Sequence, residues 1–361
     1  MMMPPSVSSA DPPDIWYPIL SHAVAAPSPL NIQPWRVIQK GPLIIDLFLD
    51  TERLLPRIDP TSRQVYLSSG AFIENLEIAA REAGFRAGTS LFPSGWPGTS
   101  QSPDQPVARI ELAYDDTVGS DPLFSCLHTR HTNRRMYAVK EIPQETCSAL
   151  ASSFDLEFTS FGFSADPSFG EDLAGYLVEA TEIELSDPDR LAERLSHVRI
   201  IDQTGNDRQD GYGSAELGLC GITGWLSRLR IRMHSPESKK RSAKDLLIRL
   251  TQKQAESAAA FGWIATKGNS RYDQVRAGRA YERVHLTATS HNLSLHTLTP
   301  ILESYPGMEG PARKLRNLLA IPDAHTVQML FRLGNSHPGS PPGRRTVKDF
   351  VMSVPLPEGC S

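Results

Sequence analysis

Two distant stretches of the chain align with each other without a gap, and this repeat constrains the fold more than any other feature. Residues 278–293 match residues 70–85, with Gly, Glu and Ala at the same places and Asn in place of Gly near the helix end. Both stretches have the apolar spacing of an amphipathic helix. Each is followed by a loop and a strand, VARIELAY at 107–114 and TVQMLFRLG at 326–334. The repeated order predicts two diverged copies of one α+β unit, although amphipathic helices also resemble one another by chance.

The length of the chain, 361 residues, leaves room for two such units. Because two-fold dimers are the commonest oligomers, fusion of two subunits would explain the repeat. We therefore expect an internal pseudo-dimer, with a disordered Pro- and Ser-rich leader at 1–14, a first half at 15–122 and a second half at 123–361. The second half includes a helical insertion, and its polar, glycine-containing segment at 202–224 is a candidate lid.

Local patterns predict the elements of each half. A helix is expected around 15–25, where prolines stop it, and a hairpin is expected at 35–49 around a Gly-Pro turn. A Gly/Ser/Pro-rich loop is expected at 88–106. The region 140–270 is expected to be mainly helical, and its alanine-rich stretch at 250–266 has the composition of a packed helix.

The balance of charge and hydrophobicity excludes several classes of protein. Lys and Arg number 37 against 41 Asp and Glu, a formal charge of −4, so no overall basic surface for nucleic acid is expected. The longest apolar stretch, 43–49, is interrupted by Asp46 and is shorter than the roughly 20 residues that span a bilayer. The four cysteines form no CxxC pair, which indicates reduced thiols. We expect a cytoplasmic protein with neither nucleic-acid nor membrane partners.

Three polar segments carry the chemistry that the sequence offers. The first, 27–35 (PSPLNIQPW), places kinked and polar positions before a strand, so its amides could face a ligand; a simple polar turn is the alternative. The second, 130–135 (RHTNRR), combines three arginines with a hydroxyl and an imidazole, which suits a phosphate. A solvated basic stretch would look similar. The third, 334–345, brings Arg344 and Arg345 after a Gly/Pro-rich loop, and could equally be an exposed tail.

Together these segments resemble the flavin-dependent nitroreductases. Members of that family hold the FMN phosphate with an Arg-x-Ser-x-Arg-type motif, line the flavin ring with a Pro-Ser-x-x-Asn-x-Gln-Pro-Trp segment and end in a basic pair that returns to the phosphate. RHTNR at 130–134, PSPLNIQPW at 27–35 and the arginines at 344–345 are similar to these motifs, with Thr132 where the family usually has Ser. The order of the motifs departs from an ordinary member. It looks like the long, internally duplicated Acg-type subfamily, which the stretch 50–64 also resembles.

The resemblance implies one FMN site shared between the two halves. The first half would supply the wall beside the isoalloxazine ring, and the second half would supply the phosphate clamp. The residues implied at the wall are Pro27, Ser28, Pro29 and Asn31, and those implied at the phosphate and ribityl chain are Arg130, His131, Thr132, Arg134, Arg344 and Arg345. No side chain is implied as an acid–base catalyst, since the flavin carries the hydride.

The function implied by the resemblance is that of an NAD(P)H-dependent FMN oxidoreductase, which passes hydride through flavin N5 to nitroaromatic or quinone-like acceptors. A lid at 202–224 would instead favour a non-catalytic protein that stores or sequesters FMN. A degenerate relative that binds no flavin is a third alternative. The expected partners are NAD(P)H and small-molecule substrates, with the chain acting as a monomeric pseudo-dimer or as a homodimer.

Other motifs indicate function less clearly. Cys126, His128 and His131 resemble a run of metal ligands but lack a fourth ligand at a suitable spacing, so no metal is expected. The glycines at 218–224 do not form a dinucleotide-binding pattern after a strand. His296 does not share a helical face with the other histidines of its region, and we expect it to serve packing or capping.

Overall fold

The computed structural model describes residues 15–95, 105–154, 157–199, 209–219, 236–339 and 341–352. The expected leader at 1–14 and the two ends of the expected lid, 202–208 and 220–224, lie outside these residues. The helices of the described part are α1 (Trp16–Ala23), α2 (Arg63–Glu82), α3 (Gln144–Ala151), α4 (Pro167–Ser186), α5 (Pro188–His197), α6 (Pro236–Glu256), α7 (Arg271–Ser290) and α8 (Glu309–Leu318). Its strands are β1 (Trp35–Gly41), β2 (Ile44–Leu49), β3 (Phe85–Leu91), β4 (Ala108–Tyr114), β5 (Thr159–Ser164), β6 (Val198–Arg199), β7 (Tyr212–Gly213), β8 (Ala260–Lys267), β9 (Ser294–Thr297), β10 (His325–Gly334) and β11 (Val351–Met352).

Two antiparallel sheets have the same internal strand order. In the first half β1, β2, β4 and β3 lie side by side, and in the second half β5, β8, β10 and β9 do. Every neighbouring pair within these sets is antiparallel. In each half a long helix, α2 or α7, precedes the last two strands of the set in the chain. The first sheet gains a fifth strand, because β11 pairs in parallel with β1. The α+β class predicted from the sequence is therefore confirmed.

Helices α2 and α7 cross inside the core through two glycines. Both helices are 20 residues long, and the alignment that predicted the repeat places their ends on each other. A Cβ on Gly70 would lie 2.0 Å from the backbone oxygen of Val275, and a Cβ on Gly278 would lie 1.9 Å from that of Leu67. No side chain fits at either position, so the close approach requires glycine twice. The two contacts are equivalent, since Val275 and Leu67 occupy the same place before the glycine of their own helix.

The helices of the second half begin where the sequence offers caps. Ser270 and Asp273 form a reciprocal capping box at the start of α7. Asp166 and Asp187 cap α4 and α5, and a proline follows each cap in the first turn. Helix α4 packs against both α5 and α6. These three helices lie in the middle of the chain, where the sequence predicted a helical insertion.

The alanine-rich stretch at 250–266 is not one helix, and that prediction was wrong. Helix α6 ends at Glu256, and Ala260–Lys267 form β8 inside the second sheet. A Cβ on Gly262 would lie 2.5 Å from the ring of Phe331. Since β8 pairs with both β5 and β10, sheet contacts override the helix propensity of its alanines.

The loop expected at 88–106 begins later than predicted, because β3 continues to Leu91. Alternate residues of this edge strand face solvent, and few of them are strongly apolar. Its pairing with β4, rather than its own hydrophobicity, places it in the sheet. Of the helices in the described ranges, none combines the length and the apolar character that a bilayer-spanning segment needs. Cys126 and Cys147 are free thiols.

Candidate functional site

The segment 27–35 is a strained loop. Leu30, Asn31 and Gln33 have φ values of 47°, 57° and 53°, in the left-handed region that residues other than glycine rarely adopt. Such a conformation costs roughly 1–3 kcal/mol per residue and persists only where the surroundings impose it. The backbone amide of Gln33 donates to the hydroxyl of Ser28 at 2.9 Å, which closes the loop on itself. Because strain of this kind clusters at functional sites, the loop is a candidate ligand wall.

A cavity of about 180 Å³ is lined from both halves of the chain. Pro27, Ser28 and Pro29 line it from the strained loop, and Thr132 and Arg134 line it from the RHTNR segment. Other lining residues come from α2 (Gln64, Leu67, Ser68, Ala71), from α7 (Tyr281), from 296–300, from 209–219 (Tyr212, Leu217) and from α4, α5 and α6 (Leu177, Thr181, Glu184, Leu185, Arg194, Leu247, Leu250, Thr251, Gln254). Two of the segments that the sequence singled out for a ligand therefore meet at one cavity.

Arg134 lines the cavity without an acidic partner among the described residues. Its guanidinium lies over the ring of Tyr212, 4.2 Å from the ring centroid. Thr132 forms a backbone bridge with Leu295 of β9, which anchors the RHTNR segment to the second sheet. Since a guanidinium offers several donors in a fixed fork, Arg134 is available to an anion with several oxygens.

Arg130 and Arg344 meet at the backbone oxygen of Ala25. Arg130 donates to this oxygen at 2.7 Å and Arg344 donates to it at 2.9 Å. Arg130 is buried and pairs with Glu282 at 3.0 Å. Loss of water lowers the pKa of Arg344 to about 9, and the neighbouring Arg130 adds to this effect. Burial raises the pKa of Glu282 to about 7. The cluster holds two arginines for one carboxyl group, which leaves an excess of positive charge.

Asn31 lies beside the cavity rather than in its lining, which differs from its predicted place at the ring wall. Its amide donates to the backbone oxygens of Gly211 at 3.1 Å and Gly343 at 3.0 Å. Its side-chain oxygen accepts from Arg344. Because Asn31 joins three separate segments, it holds the strained loop in place.

Arg345 also holds the loop, and it does not line the cavity with Arg134 as a clamp would. Its buried guanidinium donates to the backbone oxygens of Gln33 at 2.9 Å and Trp35 at 3.0 Å, and pairs with Asp50 at 3.3 Å. Loss of water is the largest cause that lowers its pKa. The tail returns beside β1 to reach β11, and this path brings Arg345 to the loop rather than to the cavity.

The two histidines of the segment 126–131, which resembles a run of metal ligands, form hydrogen bonds to other residues through their ring nitrogens. His128 shares a hydrogen bond of 2.8 Å with His22. His131 accepts from the backbone amide of Gly339 at 3.1 Å, and burial lowers its pKa. Within the described ranges, no group of three or more His, Cys, Asp or Glu side chains is arranged to hold a metal ion.

The described part of the expected lid, 209–219, is docked on the strained loop. The side chain of Gln33 donates to the backbone oxygen of Gln209 at 2.6 Å. Tyr212 and Leu217 line the cavity from this segment. Residues of α4, α5 and α6 also line the cavity.

Sequence reasoning missed several lining residues. The polar ones include Gln64, Ser68, Glu184, Arg194, Tyr281 and His296. Glu184 and Arg194 form a hydrogen-bonded ion pair at 2.5 Å, measured from Arg Nε to the carboxylate. These residues lie in no motif, because four helices and the strand β9, from distant parts of the chain, bring them together. A usable signal was the run of polar residues on the buried face of α2, where Gln64 and Ser68 interrupt an apolar surface.

Sequence relatives assign the family. No protein-family model matches the chain. A Mycobacterium tuberculosis protein named "Putative NAD(P)H nitroreductase acg" is 38% identical over 326 residues, which cover 86% of this chain and 86% of that protein. Another M. tuberculosis protein with the description "Putative NAD(P)H nitroreductase" is 25% identical over 351 residues, covering 92% of this chain and 90% of the relative.

Solved nitroreductase structures are more distant. A Bacteroides fragilis nitroreductase with bound FMN is 15% identical with a TM-score of 0.38, covering 66% of this chain and 100% of that one. An iodotyrosine deiodinase bound to FMN and 3-iodo-L-tyrosine is 11% identical with a TM-score of 0.37 and the same coverage of 66% and 100%. These TM-scores are too low to support an assignment, which depends on the sequence relatives. With 38% identity over most of both sequences, the chain belongs to the nitroreductase family, in the branch that includes the Acg protein.

Proposed function

We propose that the chain binds FMN in this cavity and acts as an NAD(P)H-dependent oxidoreductase of nitroreductase type. The observation that carries the proposal is that Pro27–Pro29 from the first half and Thr132 with Arg134 from the second half line one cavity. These segments resemble the ring-side and phosphate motifs of the family. The relatives named as NAD(P)H nitroreductases favour the same class of reaction.

The residues of the cavity fit the parts of FMN. Arg134 and the Thr132 hydroxyl suit the phosphate end, since the arginine has no acidic partner among the described residues. Pro27, Pro29 and Leu298 offer apolar surface to a planar ring. When bound, FMN would supply hydride transfer through N5 between NAD(P)H and a nitroaromatic or quinone-like acceptor. The protein itself would position the ligand and exclude water, the latter through the helical insertion.

We propose different roles for the other predicted site residues. Arg130 and Arg344 contribute positive charge beside the cavity, where it favours a phosphate, and they anchor the strained loop through Ala25. Asn31 and Arg345 position that loop without touching the ligand. His131, half-buried against Gly339, supports the backbone of the RHTNR segment.

We further propose that the two halves, 15–122 and 123–361, are diverged copies packed as an internal pseudo-dimer. The equal strand order of the two sheets supports this proposal, as do the equal lengths of α2 and α7 and the equivalent contacts of Gly70 and Gly278. A duplication would account for all three, whereas chance similarity of amphipathic helices would account only for the lengths.

The equivalent position in the other copy is filled by side chains. The α2 residues Gln64, Ser68 and Ala71, which line the cavity, align with Tyr272, Arg276 and Arg279 of α7. The ring of Tyr272 packs edge-on against Phe92 at 4.8 Å, and Arg276 lies 3.9 Å from the ring centroid of Phe158. Arg279 pairs with Glu74 at 2.8 Å. We therefore propose one flavin site in each chain.

The absorbance spectrum of the purified protein tests the proposed function. After reconstitution with FMN and removal of the free flavin, the protein should keep a flavin spectrum. Under anaerobic conditions NADPH or NADH should bleach it within seconds, and a nitroaromatic acceptor should restore it. A protein that retains no FMN after reconstitution would refute the proposal.

Storage or sequestration of FMN is the second candidate function, and the covered cavity favours it. Tyr212 and Leu217 from 209–219 line the cavity together with residues of α4, α5 and α6. In the storage proposal these residues cover the flavin ring against a substrate. Replacing Tyr212 and Leu217 with alanine should open this cover, with the exposed Ala215→Ser in the same segment as the control. If NADPH bleaches the flavin of the double variant but not that of the parent, the parent stores FMN. If both are bleached at equal rates, the parent is an enzyme.

A further inference from the structure

Arg332 is a fully buried cation on β10, and no aspartate or glutamate of the described residues forms an ion pair with it. Its guanidinium donates to the backbone oxygens of Gln254 at 2.9 Å and Arg135 at 2.8 Å. The guanidinium also stacks on Tyr137, 3.8 Å from the ring centroid. Burying a charge costs several kcal/mol unless opposite charge or hydrogen bonds compensate it. Neutral partners hold this cation in place and leave its charge unneutralised.

The Nε donor of Arg332 determines the protonation of His296. Nε of Arg332 donates to Nδ1 of His296 at 3.0 Å. The two residues lie directly opposite each other on β10 and β9, so the strand register produces this contact. A guanidinium can only donate, so Nδ1 must be the acceptor, and the proton of the neutral imidazole must be on Nε2. Burial, with Arg332 nearby, lowers the pKa of His296 well below its usual range, which keeps the ring neutral.

The Nε2 N–H of His296 has no partner among the described residues, and the residue lines the cavity. The other ionised groups of the lining are Arg134 and the pair formed by Glu184 and Arg194. Since that pair is neutral as a whole, Arg134 and the nearby Arg332 leave the cavity with an excess of positive charge.

We propose that His296 is a ligand-binding donor and that Arg332 is its positioning residue. Together they present one fixed N–H and a positive potential to an electron-rich edge of a heteroaromatic ring, made of carbonyl and ring-nitrogen acceptors. This inference rests on the proposed function, because FMN has such an edge and the edge becomes more negative when the ring takes up electrons. A donor fixed in advance needs no reorganisation when that charge develops. The pair therefore binds reduced FMN more tightly than oxidised FMN.

The reduction potential of the bound flavin tests this assignment. His296→Phe keeps a ring and removes the donor, His296→Gln keeps an amide donor near the place of Nε2, and Arg332→Met removes the charge. His291→Phe is the matched control, since His291 is exposed at the end of α7 and outside the cavity lining. We expect His296→Phe and Arg332→Met each to weaken the binding of reduced FMN about tenfold more than that of oxidised FMN, which lowers the two-electron potential by about 30 mV. His296→Gln should recover part of this difference.

The tautomer of His296 gives a second readout that does not depend on flavin. Nitrogen-15 NMR of the ligand-free protein should show His296 neutral, with its proton on Nε2, at pH values where an ordinary histidine is already doubly protonated. A proton on Nδ1 would overturn the inference. So would a His296→Phe protein that binds FMN with the same potential as His291→Phe. Failure of the parent chain to bind any FMN would overturn the proposed function instead, while the NMR result would still report on the contact between Arg332 and His296.

Discussion

Burial divides the arginines of this protein into two groups. Arg130 and Arg345 are buried, and their donors are used by backbone oxygens and carboxylates of the chain itself. Arg134 lines the cavity and makes no ion pair with the described residues. A guanidinium with free donors gains charge-assisted hydrogen bonds from an anion, whereas an occupied one must first lose its partners. The same residue type therefore supports the fold at one position and is available to a ligand at another.

Arg134→Ala and Arg345→Ala should separate these two roles. Arg134→Ala should weaken FMN binding by about 10- to 100-fold, because a lost charge-assisted hydrogen bond costs about 1.5–3 kcal/mol. Arg345→Ala should lower the free energy of unfolding by about 3 kcal/mol, because it removes a buried guanidinium that pairs with Asp50 alongside Arg53 and that donates to two backbone oxygens. Calorimetric titration with FMN and urea unfolding measure the two effects. Unchanged FMN affinity in Arg134→Ala would contradict the assignment.

Asp59 should make the stability of the protein depend on pH. Burial, with the nearby Glu303, raises the pKa of Asp59 from 3.8 to about 7. Between these values the folded protein holds a proton that the unfolded chain has lost, so the free energy of unfolding should fall as the pH rises from about 4 to about 7. Asp59→Asn should make the dependence of the free energy of unfolding on pH shallower, by up to about 1.4 kcal/mol per pH unit. Urea unfolding at several pH values measures it, with the exposed Asp172→Asn as control. An equal slope in both variants would show that Asp59 is not the group responsible.

At the scale of elements, the contact between α2 and α7 depends on two glycine positions that carry no side chain. Gly70 and Gly278 let each helix backbone lie against the backbone of the other. This approach brings Ser68 and Ala71 of α2 and Tyr281 of α7 to the same cavity. The helix crossing therefore determines the shape of the site as well as the stability of the core.

Gly278→Ala should push the helices apart. Its Cβ would lie 1.9 Å from the backbone oxygen of Leu67, and overpacking of this kind typically costs about 1–3 kcal/mol or more. Gly175→Ala is the control, because Gly175 is exposed within α4 and no atom lies within 4 Å of a Cβ placed there. That variant should be stabilised by about 0.5–1 kcal/mol, since alanine favours a helix more than glycine does. Thermal unfolding compares the two, and equal midpoints would be inconsistent with the crossing described.

At the scale of the whole molecule, the two halves are alike in topology but unlike in what they offer a ligand. The first half contributes the strained loop, and the second contributes the RHTNR segment and the covering helices. The position equivalent to the cavity holds Tyr272, Arg276 and Arg279, which make contacts with the chain itself. Under the proposed duplication, a pseudo-symmetric frame would therefore carry an asymmetric site.

The holoprotein should contain one FMN for each chain. Heat-released flavin, measured by absorbance against the protein concentration, gives the ratio directly. The reason is steric. Tyr272, Arg276 and Arg279 fill the symmetry-related position, whereas their counterparts in α2, Gln64, Ser68 and Ala71, leave the cavity open. A ratio of two would show that those side chains move aside and that the halves are equivalent in binding.

Much of the fold follows from local sequence pattern. The sequence pattern reveals α2 and α7 because each helix has amphipathic spacing. It reveals β2 and β10 because both strands are mostly buried and therefore form apolar runs. Strand β8 was mistaken for a helix, since its alanines favour a helix and only its neighbours β5 and β10 make it a strand. Strand β3 was missed, because an exposed edge strand needs little hydrophobicity of its own.

Some features of the candidate site can likewise be predicted from the sequence, and others appear only in the folded structure. The sequence by itself determined the α+β class and singled out the segments 27–35 and 130–134, because periodicity and motif are properties of consecutive residues. Only the tertiary structure decided which arginines are occupied, which helices cover the cavity and that Arg332 lies opposite His296. Strand register and helix packing join residues that are far apart in the chain. A side chain acquires its burial and its hydrogen-bond partners only when the chain has folded. These two properties determine what the side chain can bind.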